Sequence, residues 1–447
     1  MKIHLIACGG AVMHNMTIAL HLKGYEITGS DDAIYEPAKS RLEKYGLLPP
    51  AMGWDTSRIT SNLDAVILGM HAKKDNPELL RAQELGLKIY SFPEFIYENC
   101  KDKTRVVIGG SHGKTTTTAM IMYVLHALNK SFDYMVGSQV AGFETMVQLT
   151  KEAPIIILEG DEYLSSPLDM RPKFHWYKPD IAMITGIAWD HINVFPTFEN
   201  YVSQFDLFVA TMQPNTRLFY FEDDEHLPTI AASHPQVISK PYNTPAYTID
   251  EEGITHITHE GNLYALQIFG AHNLQNMEGA RMVCECLNIP AHDFYTAMQT
   301  FSGAARRLEL MHQSESLIAY RDFAHSPSKL KSTVKAVKQQ FKGKKLLAVF
   351  ELHTFSSLDA NFLPQYAGSM NDADEAIVFF DEETLRQKNK VLDAAVVKQH
   401  FGANVQVFSN SALLQDEIYR RIYTEPTVLL LMSSGTFGGL KWEFREV

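Results

Sequence analysis

Apolar residues in this chain come in short continuous runs separated by stretches of helical length. Residues 3–7 predict a strand, 8–11 a glycine turn, 16–22 a helix, and 25–32 a second strand ending in hydroxyl and acidic groups. Residues 63–69 and 88–92 predict two more strands. Beyond a charge-rich linker at 99–103, strands are predicted at 105–108, 155–158 and 181–184. Residues 219–223, 247–250 and 263–268 read instead as an antiparallel flap, closed by a helix around 276–287. A last set of strands, 317–320, 346–350, 376–380, 405–408 and 428–432, alternates with helices at 328–340 and 393–400. Apolar runs bounded by polar clusters and spaced by helices indicate mostly parallel, doubly wound sheets, hence an α/β fold. One core rarely grows past ~250–300 residues, so a chain this long should hold two or three domains. The pattern divides it at 1–103, 104–302 and 303–447.

Composition narrows the function classes. The formal net charge of −12 argues against a general nucleic-acid surface or an anionic-membrane surface, although a local phosphate pocket needs only a few cations. Cys8, Cys100, Cys284 and Cys286 are too scattered for a disulfide framework, and no Cys-x-x-Cys pair suggests a zinc ribbon. Met1-Lys2 runs directly into a strand, without the pattern of a signal peptide. No apolar stretch is long enough to span a bilayer, so the expected compartment is the cytoplasm.

The strongest chemical signal lies after the run 105–108. Gly110-Ser111-His112-Gly113-Lys114-Thr115-Thr116 leads from that strand into a helix. Glycines let backbone N–H groups approach phosphate, and a helix N-terminus favours negative charge. Lys114 can neutralise that charge, and the Thr115 hydroxyl can reach Mg²⁺. The loop departs from the standard Walker pattern, which would place its first glycine at Ile108. Downstream, the run 155–158 ends on Glu159-Gly160-Asp161-Glu162, and the run 181–184 leads to Asp190-His191. Carboxyl ends of parallel strands open into one crevice, where Thr115, Glu159 and His191 would meet and hold metal. The first turn, Cys8-Gly9-Gly10-Ala11, lacks the G-x-G-x-x-G spacing, so NAD is not expected. By itself that turn fits any doubly wound sheet.

Three further motifs follow in order. They are His272-Asn273-Leu274-Gln275-Asn276, Arg306-Arg307-Leu308-Glu309 and Asp322-Phe323-Ala324-His325-Ser326-Pro327. With the phosphate loop, the acidic strand end and Asp190-His191, this series resembles the Mur ligase family over essentially the whole chain. The resemblance implies a Rossmann-like N-terminal domain for a UDP-sugar, a P-loop-type ATPase central domain, and a Rossmann-like C-terminal domain for an incoming amino compound. It implies ATP and two Mg²⁺ ions as cofactors. Cys8, Gly9, Gly10, Ala11, Ser30 and Asp31 would hold the UDP moiety. Gly110, Ser111, His112, Gly113, Lys114, Thr115 and Thr116 would hold the ATP phosphates, and His272 and Asn276 its base and ribose. Arg307 and Asp322 would reach the nucleotide from the C-terminal domain, and Thr115, Glu159 and His191 would bind metal. Two departures stand out. No lysine occurs from residue 192 to 208, so the carbamylated lysine of several members is not expected here. Arg321-Asp322 and His325-Ser326 stand where relatives often have Asp-Asp and His-His.

The expected activity is ATP-dependent, ADP-forming C–N ligation in peptidoglycan metabolism. Its partners would be small molecules only, with neither nucleic acid nor membrane, and the chain would be a monomer or homodimer. The donor expected is UDP-N-acetylmuramate; the acceptor is either L-alanine, in biosynthesis, or the tripeptide L-Ala-γ-D-Glu-meso-diaminopimelate, in recycling. Glu162-Tyr163, residues 169–179 and residues 432–439 are similar to the tripeptide-adding branch, which is the acceptor expected here. A reading of another class is a P-loop regulator or kinase, which would not need Arg307 and Asp322 aimed at the nucleotide.

Overall fold

The computed structural model describes residues 1–189, 194–304, 307–402 and 404–444. Its α/β chain divides into two compact units, Met1–Asn243 with Asn276–Met298, and Thr244–Gln275 with Gln299–Val447.

The first unit holds two sheets. β1 (Lys2–Ile6), β2 (Glu26–Ser30), β3 (Ala65–Leu68) and β4 (Ile89–Ser91) form a parallel sheet in the order β2-β1-β3-β4. β5 (Thr104–Gly109), β6 (Asp133–Met135), β7 (Val147–Gln148), β8 (Ile155–Glu159), β9 (Ile181–Ile184), β10 (Arg217–Phe221) and β11 (Ile238–Tyr242) form the second, in the order β11-β10-β9-β5-β8-β6-β7. Only β7 runs antiparallel there. The central strands are apolar throughout because both their faces are covered: Val106, Val107, Ile108, Ile156, Ile157 and Leu158 are wholly buried. The helix Lys114–Ala127 follows β5 although it opens on four threonines, which are poor helix formers. Burial of nearly the whole helix overrides that preference.

Two expectations change. Residues 219–223 fall largely in β10, a parallel strand between β9 and β11, and not in the flap. β11 itself carries Pro241 and exposed side chains, as an edge strand can, and its weak apolar pattern hid it. The expected linker at 99–103 is no free tether. It begins in the helix Phe92–Cys100, and Lys103 Nζ bonds Asp133 Oδ2 at 2.7 Å and the Thr150 carbonyl at 2.8 Å.

The second unit contains the antiparallel flap, β12 (Thr248–Ile249), β13 (Thr255–His259) and β14 (Asn262–Leu266). Its main sheet is β15 (Glu309–Gln313), β16 (Leu317–Asp322), β17 (Lys345–Glu351), β18 (Glu375–Phe379), β19 (Val405–Phe408) and β20 (Thr427–Met432). The order is β15-β16-β20-β17-β18-β19, parallel except for β15. Arg321, which stands in an expected acidic position, bonds Glu309 at 2.9 and 3.0 Å; the two residues are register partners across β15 and β16. Its charge is therefore used to pair an edge strand. Among the described residues no helix is long and apolar enough to cross a membrane.

Beneath the first glycine turn lies a buried polar cluster. His4 Nε2 is 3.1 Å from Ser30 Oγ and 3.3 Å from Glu78 Oε2, Ser30 donates to Glu78, and the Asp55 N–H donates to Glu78 Oε1 at 2.8 Å. Burial works to raise the Glu78 pKa, but the bonds from His4, Ser30 and Asp55 hold it below the ordinary value. A carboxyl with a depressed folded-state pKa stabilises the fold above its unfolded value of about 4.3, and that contribution is lost as pH falls through the folded value. Glu78→Gln should therefore cost about 1–3 kcal/mol at neutral pH. Its deficit against the parent should shrink below about pH 4 in denaturant melts. A deficit that does not change with pH would show that the ionised carboxylate is not what stabilises the cluster.

Candidate functional site

The phosphate loop is built by positions that only glycine can occupy. Gly110 has φ +125°, and a Cβ there would run into the Thr185 side chain and lie 2.8 Å from its nitrogen. Gly113 has φ +83° at the helix N-cap, where a Cβ would overlap the Asn276 amide. Asn276 thus lies against the loop. The Ser111 N–H donates to the Gly186 carbonyl at 2.9 Å, and the Thr185 hydroxyl donates to the His112 carbonyl, tying the loop to the end of β9. Thr116 is buried in the first helical turn.

Lys114 and Thr115 face the carboxylates at the end of β8. Lys114 Nζ donates to Glu162 Oε2 at 2.5 Å and to the Gly110 carbonyl at 2.6 Å. Burial alone would lower its pKa. Glu162, then Asp161 and Glu159, outweigh burial and hold the ammonium above its ordinary value. Thr115 Oγ1 donates to Glu159 Oε1 at 3.0 Å, and the Gly137 N–H donates to Glu159 Oε2 at 2.8 Å. Burial pushes the Glu159 carboxyl up, against the pull of the Gly137 N–H, Lys114 and Thr115. Thr115 and Glu159 therefore meet as the sequence suggests. His191, the third expected ligand, lies outside the described residues.

These donors suit Mg²⁺, a hard ion that takes oxygen ligands and is commonly held by one or two carboxylates plus substrate phosphates. Thr115 and Glu159 supply one hydroxyl and one carboxylate side by side. Among the described residues no group of three His, Cys, Asp or Glu side chains could hold a metal ion.

At the N-terminal turn, the Gly9 N–H donates to Asp31 Oδ2 at 2.6 Å, and the helix Ala11–Leu22 starts from Gly10. Cys8 points inward, with its thiol pushed up to about 12 by burial and then by Asp31. The Ser30 hydroxyl is engaged by Glu78 in the cluster described above.

The second unit gathers its own set. Asp322 accepts the Leu308 N–H on Oδ2 and the Ala324 N–H on Oδ1, each at 2.8 Å, fixing the turn that carries Arg307. Arg307 lies over the Phe323 ring at 5.0 Å. Burial lowers the His272 pKa, with Asp322 opposing and Arg307 adding to the shift. Those three expected residues therefore share one electrostatic environment.

A cluster outside the sequence motifs sits at the carboxyl ends of β17 and β20. Buried Glu351 accepts from the Ser433 hydroxyl and, at 2.8 Å, from the Phe437 N–H. His353 Nδ1 is 3.8 Å from Glu351 Oε1, and Lys388 donates to the His353 carbonyl. A Cβ on Gly435 would lie 2.5 Å from His353 Nδ1 and 2.8 Å from Glu351 Oε2. Nearby, Lys390 lies 4.1 Å from the ring of exposed Phe355. The signal was available: an acid ending an apolar parallel strand, the same rule that found Glu159.

Residues 161–178 are largely occupied with structure. Arg171 bonds Asp169 through Nε at 2.9 Å and Nη2 at 3.0 Å, Trp176 Nε1 donates to Asp169 at 2.7 Å, and Lys173 pairs with Asp161. Lys173 also lies 5.5 Å from the Phe92 ring, and Lys178 4.8 Å from the Tyr97 ring, both rings on the helix Phe92–Cys100.

Comparison with known proteins adds three family models in tandem: Mur ligase family, catalytic domain, at residues 2–104; Mur ligase middle domain at 108–284; and Mur ligase, glutamate ligase domain, at 306–435. The UDP-N-acetylmuramate–L-alanyl-γ-D-glutamyl-meso-2,6-diaminoheptandioate ligase of Haemophilus influenzae is 26% identical, over 98% of this chain and 97% of its own. The UDP-N-acetylmuramate–L-alanine ligase of Caldicellulosiruptor bescii is 31% identical, over 87% of this chain and 85% of its own. The crystal structure of a murein peptide ligase from Psychrobacter arcticus superposes with a TM-score of 0.67 at 21% identity, covering 98% of this chain and 97% of that one.

Lys114→Ala should leave the fold intact and reduce turnover of any ATP-dependent reaction at least ~10²-fold, the scale for deleting a preorganised charge. Circular dichroism and steady-state ADP release measure the two. Near-normal turnover would remove the phosphate-loop assignment.

Proposed function

We propose, from the premise that the chain belongs to the Mur ligase family of ATP-dependent ligases, that it joins UDP-N-acetylmuramate to L-Ala-γ-D-Glu-meso-diaminopimelate. The observation that carries the ligase chemistry is the half-buried Lys114 beside the Thr115–Glu159 pair at the head of the helix Lys114–Ala127.

A carboxylate is a poor acyl donor because its leaving group would be oxide. In the proposed reaction a donor carboxylate oxygen attacks the γ-phosphorus of ATP, and ADP leaves. The product is an acyl phosphate. The acceptor nitrogen then attacks the acyl carbon, the C–O bond breaks, inorganic phosphate leaves, and the amine proton passes to solvent or a base. Phosphoryl transfer of this kind needs positioning and charge neutralisation more than covalent help. Lys114 supplies a fixed cation to the β/γ-phosphates, and the loop N–H groups and helix N-terminus supply further positive potential. Thr115, Glu159 and His191 are the residues proposed to hold magnesium, which when bound would neutralise phosphate charge. Arg307 and Asp322 are proposed for the nucleotide from the C-terminal domain, His272 and Asn276 for its base and ribose, and residues 8–11 with Ser30 and Asp31 for the UDP moiety.

Two observations support the longer acceptor. The tripeptide-adding relative aligns nearly end to end with this chain. The loops after β17, β18 and β20 also bring together a buried carboxylate, an imidazole and Lys388, a set with partners for the peptide's distal ammonium and its carboxylates. L-alanine as acceptor is the second reading, favoured by the higher identity to the alanine-adding relative over less of the chain.

A pocket for the tripeptide gives free L-alanine few of the remote contacts that position the nucleophile. The kcat/KM for the tripeptide should exceed that for L-alanine by about 10²-fold or more. Purified protein with ATP, Mg²⁺, UDP-N-acetylmuramate and either acceptor, followed by mass spectrometry, measures this. A preference for L-alanine would hand the chain to the second reading. In crystals with an ATP analogue and Mn²⁺, anomalous density should lie within coordination distance of Glu159; metal elsewhere would sink that part of the assignment.

A further inference from the structure

Glu162 has no part in the reaction just described, yet it is the anion nearest the phosphate-loop lysine. It is 1% exposed. Its Oε2 accepts from Lys114 Nζ at 2.5 Å, and its Oε1 accepts from the Tyr201 hydroxyl at 3.0 Å. Tyr201 is fully buried on the helix Phe198–Ala210, and its oxygen lies 2.8 Å from Ser111 Oγ in the phosphate loop. Hydrogen counting fixes the direction of this chain. An ionised carboxylate only accepts, so Tyr201 gives its single hydrogen to Glu162, and Ser111 must donate to Tyr201. The Ser111 oxygen accepts in turn from the Ala188 N–H at 2.9 Å. Lys114 closes the ring on the Gly110 carbonyl at 2.6 Å, one residue from Ser111.

The ring therefore begins and ends in the phosphate loop, and it passes through the loop after β8 and the helix Phe198–Ala210. We propose that Glu162 and Tyr201 are positioning residues that aim the Lys114 ammonium, and that the Glu162 charge is retained at the expense of nucleotide affinity. The proposal rests on the ATP-dependent reading of the site. Glu162 and a nucleotide phosphate are two anions competing for one ammonium, and in a buried setting they repel strongly. Glu162 thus weakens binding of the nucleotide ground state. It also limits where the ammonium can sit, so that little reorganisation is needed as charge moves during phosphoryl transfer. A structural residue would lose binding and turnover together; this arrangement separates them.

Glu162→Gln keeps the shape and removes the charge, leaving Lys114 with a poorer partner until phosphate arrives. In the full-length protein, calorimetry with the non-hydrolysable analogue AMP-PNP and Mg²⁺ should show binding about 3–10-fold tighter than in the parent. The rise in Tm on adding the analogue should be correspondingly larger. With whichever acceptor the parent uses, kcat should fall at least ~10-fold. Tyr201→Phe leaves the ion pair in place and removes the link to Ser111. Its AMP-PNP affinity should stay within about twofold while kcat falls roughly 5–10-fold. A Glu162→Gln protein that binds AMP-PNP no more tightly than the parent, or that keeps kcat within about threefold, overturns the proposal. Should that variant not fold, parent-like kcat in Tyr201→Phe overturns it instead. A parent protein that does not bind AMP-PNP at all would overturn the ligase reading itself, so the two failures are distinguishable.

Discussion

An ammonium removed from water is unfavourable by several kcal/mol unless anions and hydrogen-bond acceptors surround it. Lys114, half-buried, is partly in that position, and much of the first unit can be read as its surroundings. The loop after β8 brings Asp161 and Glu162, and the strand itself ends on Glu159. Gly110 turns its carbonyl inward to accept, which requires a backbone geometry open to glycine. β9 then anchors the loop through Thr185 and Gly186. Each of these contacts brings a different stretch of chain to the same place.

The same topological rule acts twice. In a parallel sheet the carboxyl ends of the strands lie along one edge, so side chains distant in sequence converge there. In the first unit this yields Thr115 beside Glu159; in the second it yields Glu351 beside Ser433 and Phe437. Both carboxylates are buried and both accept from hydroxyl and backbone donors, so each is oriented before any ligand is considered.

Much of this was legible in the sequence. Runs such as 105–108, 155–158 and 428–432 predict buried parallel strands because strands covered on both faces are apolar throughout. The phosphate loop was visible because its glycines, lysine and threonine are local in sequence. What escaped was of two kinds. β11 is an edge strand with a proline and little apolar content, so periodicity could not find it. Tyr201 sits inside an ordinary amphipathic helix, and its bond to Glu162 spans 39 residues, a pairing that tertiary structure alone creates. Arg321 and Ser30 show the reverse. Both stood at positions where a motif suggests chemistry, and the fold engages their side chains in a cross-strand pair and a buried cluster.

The connection at 161–178 has a mechanical consequence. Its lysines lie against Phe92 and Tyr97 on the helix Phe92–Cys100, and Arg105 Nη1 donates to the Lys101 carbonyl and Nε to the Lys178 carbonyl, at 2.7 and 2.9 Å. The four-stranded sheet is therefore fastened to the seven-stranded one on both sides of the junction at 101–103. A protease would find little slack there, and a fragment cut at that point would expose aromatic rings that the intact chain covers. The first hundred residues are in this sense not a portable module: to move them into another protein, the loop between β8 and β9 would have to travel with them.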